Sequence, residues 1–203
     1  MRPDDRLVAL AAVVGGFLLG FLDFVWIKFV PYPFAELGNS TATWAVAAFA
    51  VGWWVRAGWR RAALAATVLL VVAVPSYYLA ATLLQGDDPA FLWAPASVLW
   101  MFFGVLAGVV FGVGGAWARG AGWRLIVGTA LPAAVFLEEA ARHARAAAGP
   151  YRTGLWWNVA IDTLLAVLLV LLVGRTHRQR ALALAVAVPL AVAIYLVFAV
   201  AAG

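Results

Sequence analysis

Two adjacent acids, Glu138 and Glu139, close an apolar run and are followed by Arg142 in "AVFLEEAARHARA". Two further acids, Asp23 and Asp162, stand in stretches with no other charge beside them, Asp162 in "WWNVAIDTLLAVLLV". Carboxyl groups among apolar residues serve as anionic contacts for a cation or as general acids. Glu138 and Arg142 are four apart, so they can pair on one helix face. Glu139 is turned about 100° from Glu138 and needs a different partner. Asp23 and Asp162 have no partner close in sequence, which leaves Lys28, Arg142, a ligand or a proton to neutralise them. The blander alternative makes Glu138, Glu139 and Arg142 the solvated end of a helix.

Aromatic and polar residues add to this set. Trp100, Tyr77 and Tyr78 fall inside apolar runs, whereas most of the eleven tryptophans sit near the ends of such runs, where aromatic belts form. Aromatic faces beside carboxylates suit a cation, an aromatic heterocycle or a carbocation. In "VPYPFAELGNSTATW", Asn39 with Ser40, Thr41 and Thr43 either caps the next helix or reaches into an outward cavity. Other chemistries are missing. There is no cysteine, no phosphate-binding loop, no nucleophile elbow and no HExxH motif. The two histidines, His143 and His177, both lie by basic loops, and "GDDPAF" reads as a turn. No metal site and no cofactor are therefore expected.

The elements that must hold these groups are membrane helices. Of 203 residues, 67% are hydrophobic and 11% charged, far from the balance of a soluble domain. Apolar runs long enough to cross a bilayer recur along the chain, which predicts an all-α, polytopic transmembrane bundle forming one integral membrane domain over 1–203. Seven spans are expected at 7–30, 39–56, 62–84, 92–117, 124–147, 154–174 and 181–201, with breaks at "PYPFAELGNS", "RAGWRR", "QGDDP", "ARGAGWR", "AAGPYRTG" and "GRTHRQR". The first is read as an uncleaved span, because Asp23 falls where a signal peptide would need small residues. Gly104, Gly108 and Gly112, and likewise Gly16 and Gly20, form four-residue stripes that admit a close helix neighbour.

Charge orients the spans. With seven of them, Arg2, Arg6, Arg56, Arg60, Arg61, Arg119, Arg124, Arg175, Arg178 and Arg180 share one side, while Lys28, Arg142, Arg145 and Arg152 lie on the other. The positive-inside bias places the N-terminus in the cytoplasm and the C-terminus outside, and the net charge of +5 then reports topology, not nucleic-acid binding. On that path Asp23 lies roughly 10 Å and Asp162 roughly 12 Å below the outer rim at 1.5 Å per residue, and Glu138 and Glu139 share the outer half of their span.

Over most of its length the chain resembles a family of small bacterial membrane proteins known only as a domain of unknown function. The resemblance rests on "LGNSTATWAVAAFAVGWWVRAGWRRAALAATVLLVVAVPSYYLA", "VLWMFFGVLAGVVFGVGGAWAR" and "VFLEEAARHA". It implies a bacterial inner-membrane location and brings no activity. The acid-and-aromatic content is also similar to the substrate-binding components of vitamin importers and to small seven-span terpenoid cyclases. "EEAAR" resembles the helix of the CAAX-type intramembrane proteases, but its arginine spacing and the absence of later histidines set that comparison aside.

The leading expectation is an outward-side pocket that binds or transports a small cationic or aromatic solute. Its contacts would be Asp23, Glu138, Glu139, Arg142, Asp162, Trp100, Tyr77, Tyr78 and Asn39. The alternative is an acid-initiated, non-metal terpenoid or lipid cyclase using Asp162, Glu139 or Asp23 as the acid, and a third class is a structural membrane protein. The expected partners are the lipid bilayer, a small-molecule ligand and other membrane subunits, without nucleic acid.

Overall fold

The computed structural model describes residues 3–148 and 153–201. Arg2, Arg152 and the Gly149-Pro150 break lie outside the described residues. Among those residues all regular structure is helical. The seven α-helices are α1 (Asp5–Phe29), α2 (Thr41–Trp54), α3 (Trp59–Gln85), α4 (Pro95–Ala118), α5 (Gly122–Ala147), α6 (Trp156–Val173) and α7 (His177–Ala201). Each expected span coincides with one of them.

Local chemistry sets the helix ends. Asp4 Oδ1 accepts from the Leu7 amide at 2.7 Å and Ser40 Oγ accepts from the Thr43 amide at 3.2 Å, which satisfies donors that a helix start leaves open. Gly86 ends α3 with φ at 78°, a left-handed turn that glycine takes without the steric cost a Cβ brings. Pro75, Pro132 and Pro189 sit inside α3, α5 and α7, a pattern more tolerated in membrane helices than in soluble ones.

Among the described residues, five helices are long and apolar enough to cross a membrane: Asp5–Phe29, Trp59–Gln85, Pro95–Ala118, Trp156–Val173 and His177–Leu196. The molecule thus has the build of a multi-pass membrane protein. The other two differ for distinct reasons. α2 has 14 residues, about 21 Å of helix against a hydrocarbon core of about 30 Å. α5 is long enough but carries Arg124, Glu138, Glu139, Arg142 and Arg145.

The chain divides into two compact units, Met1–Ala116 and Trp117–Gly203. Within unit 1 the central helix is α3, whose Ala62, Ala66, Leu70, Ala73 and Ala80 are almost fully buried. α1 lies against it so closely that a Cβ at Gly16 would sit 2.4 Å from the Leu69 carbonyl oxygen. At Gly20 it would sit 1.9 Å from that of Ala73. Gly104, Gly108 and Gly112 of α4 face Leu70, Thr67 and Ala62 of α3 in the same manner, so both glycine stripes pack helices as their spacing suggests. Ser76 Oγ donates to the Phe17 carbonyl at 2.6 Å, and Arg61 pairs with Asp5.

Within unit 2 the central helix is α5, packed against both α6 and α7, which touch each other little. α6 buries Asn158, Asp162, Ala166 and Val170 at four-residue spacing, and α7 buries Ala183, Ala187 and Ala191. These narrow stripes leave the remaining faces apolar and exposed, as at Leu164, Leu172, Val188 and Val192, which suits helices that face lipid. Arg175 donates to the Arg119 carbonyl at 2.9 Å and ties the two basic turns of the unit together.

Candidate functional site

The densest group of buried ionisable side chains is in unit 2, on the second half of α5 and the first half of α6. Glu138 is 0% exposed, Glu139 2% and Asp162 3%. Arg142 Nε donates to Glu138 Oε1 at 2.6 Å, and its terminal nitrogen lies 3.4 Å from Glu139 Oε1. One guanidinium therefore serves both acids. Residues three and four back along a helix flank the same side chain, and the planar fork of arginine reaches both. Glu139 thus shares Arg142 with Glu138, and both acids of the expected solvated end are buried. Arg142 itself is 45% exposed along its side chain.

One turn beyond Glu139, His143 Nδ1 lies 2.8 Å from Asp162 Oδ2. This contact fixes the register of α5 against α6. Asp162 thus has a protein partner that its apolar neighbourhood in the sequence does not reveal. Asn158, four residues before Asp162, is 2% exposed and on the same buried stripe. Two acceptors here lack any hydrogen bond: Glu138 Oε2 and Asn158 Oδ1 are buried and unpartnered. Arg145 does not join the cluster; its guanidinium donates to the Tyr195 hydroxyl at 2.8 Å. Among the described residues no three His, Asp or Glu side chains gather in a metal-holding set.

Asp23 belongs to unit 1, where it is 8% exposed and Oδ2 accepts from Trp44 Nε1 at 3.0 Å. Lys28, the cation nearest in sequence, is engaged elsewhere: its Nζ donates to the Leu84 carbonyl at 2.9 Å. Tyr77 is half-buried, with its ring edge-on to Phe24 at 5.3 Å and to Tyr78 at 5.5 Å. Trp100 is 46% exposed on α4 and meets Phe103 edge-on at 5.8 Å. Asn39 is exposed, and the capping role next to it falls to Ser40. The structure thus gathers Glu138, Glu139, Arg142 and Asp162 in unit 2 and sets Asp23 beside Trp44 in unit 1.

A family model described as a family of unknown function, DUF6518, matches residues 3–203. The chain belongs to that family. Nothing among curated proteins or solved structures matches it. In this DUF6518 chain three participants are not singled out by the sequence: His143, Asn158 and Trp44. His143 has a signal in hindsight, since it stands four residues after Glu139 and so continues the acid's stripe. Asn158 is likewise four before Asp162. Trp44 has no such mark, because its bond to Asp23 crosses 21 residues and two helices.

Proposed function

We propose that this DUF6518 protein resides in the bacterial inner membrane and binds and carries a small cationic solute at the carboxylates of α5 and α6. In this reading all seven helices cross, with the N-terminus cytoplasmic and the C-terminus outside. The distribution of Arg and Lys supports that orientation. Crossing by α5 is reasonable because its acids are turned inward, at 0% and 2% exposure, and so avoid lipid. Access is then from the outer side, towards which α5 runs in this reading.

One observation carries the reading. Three buried carboxyl groups of one unit, Glu138, Glu139 and Asp162, lie beside Arg142 and His143, and a buried oxygen of Glu138 has no hydrogen-bond partner. Charge held away from water costs several kcal/mol per ion unless it is matched, and a bound cation supplies the match. The cyclase alternative requires aromatic walls round the acid. Alanine is instead the commonest buried residue of these helices, and Phe136 is the one buried aromatic ring on them, which favours cation binding over carbocation chemistry.

The test is calorimetry on the purified full chain in lipid nanodiscs, titrated with 2-phenylethylammonium, choline and tetramethylammonium. Binding of at least one, weakened about tenfold or more by Asp162→Asn and by Glu138→Gln, is expected; a wild-type protein that binds none of the three overturns the reading.

A further inference from the structure

We infer that Asn158 and Asp162 form a subsite for an ammonium that carries N–H bonds, and that Asn158 sets the preference for such cations over quaternary ones. This rests on the cation-binding reading and narrows its ligand class.

The argument starts from acceptors. Asn158 Oδ1 is buried without a hydrogen-bond partner, on a side chain 2% exposed. A buried acceptor left unmatched is costly, so native proteins rarely keep one without a use. Asn158 and Asp162 are one helical turn apart on the buried stripe of α6, a spacing that brings side chains within about 6 Å at their Cβ atoms. Both ends can therefore converge on one small donor. Asp162 is held in place by His143 at 2.8 Å, which fixes the carboxylate's direction.

The chemistry of that pair selects among cations. An ammonium with N–H bonds can give one hydrogen to the Asn158 carbonyl oxygen and present its charge to Asp162, a charge-assisted arrangement. A quaternary ammonium has no hydrogen to give and leaves Asn158 Oδ1 unmatched. Proteins that favour quaternary groups surround them with aromatic faces, and the described residues of unit 2 offer no such cage here. Trp156 and Trp157, at the start of α6, are 51% and 65% exposed, and Phe136 lies two turns from His143 along α5.

The measurement compares 2-phenylethylammonium with its N,N,N-trimethyl analogue, two probes sharing one apolar body, against the full chain in nanodiscs. Wild type is expected to bind the primary ammonium about tenfold or more tightly. Asn158→Leu is expected to remove that preference by weakening the primary ammonium alone, while Asp162→Asn weakens both. Equal affinities in the wild type overturn this inference and leave the broader cation reading standing; loss of binding by both probes overturns the two together. The wild-type comparison needs no variant, so misfolding of Asn158→Leu leaves the inference open to refutation.

Discussion

Each unit is built round one central helix, α3 in unit 1 and α5 in unit 2, but the two centres are made from opposite materials. α3 is lined by alanines and met by glycines, so backbones come close enough that a methyl group at Gly20 would strike the Ala73 carbonyl. Its one buried acidic neighbour, Asp23, is bonded to Trp44. α5 keeps alanines along much of its length but carries Glu138, Glu139, Arg142 and His143 in its last third, where Glu138 Oε2 is buried without a hydrogen-bond partner. Close packing with polar groups satisfied one by one is what stability alone asks of a membrane bundle. Thr67 Oγ1 is the one buried side-chain atom left over without a hydrogen bond in the described part of unit 1, whereas in unit 2 Glu138 Oε2 and Asn158 Oδ1 are left over on or beside carboxylates, and that is why the function is sought there.

The comparison can be broken by substitutions in each unit. The largest effect is expected from Arg142→Met, which strips the shared partner from Glu138 and Glu139. Removing one member of a buried pair costs roughly 3–5 kcal/mol. In a double-mutant cycle, Glu138→Gln should restore much of the loss; simple additivity would mean that the pair is not coupled. Next comes Gly20→Ala in unit 1, with an overpacking cost of about 2 kcal/mol, read as a lower melting temperature with cation affinity unchanged. A Gly20→Ala protein as stable as wild type would show that α1 and α3 can separate without penalty. Trp44→Phe removes the donor to Asp23 and should cost about 1 kcal/mol, again without altering cation binding. A change in affinity there would extend the site into unit 1. Lys28→Met, which loses an exposed bond to the Leu84 carbonyl, should give the smallest shift of the series.

The helices themselves were legible because apolar runs and their breaks are local. Gly58, Gly86 and Gly122 all take positive φ at the expected breaks, and α3 at Trp59–Gln85 matches its expected 62–84 to within three residues. The glycine stripes were legible for the same reason. The pairing Glu138–Arg142 followed from spacing within one helix. What spacing cannot supply is the register between helices, so His143–Asp162 and Trp44–Asp23 emerged only with packing in place. Trp100, Tyr77 and Tyr78 stood out by depth along their runs, yet depth says nothing of rotation, and Trp100 faces outward at 46% exposure. The charges of α5 count against it in any running average of hydropathy, and only the folded structure shows that its two acids are buried.

Arg142 deserves its place at the rim of the cluster for a reason beyond pairing. Its guanidinium grips two carboxylates from a position still 45% open along the side chain. On the proposed cation-binding function, a visiting cation would take over Glu138 and Glu139 while the arginine swings outward, one positive group replacing another. Neither carboxylate would be stranded during such an exchange, and departure would follow the same path in reverse, so that occupancy and release would be nearly balanced alternatives rather than a deep trap.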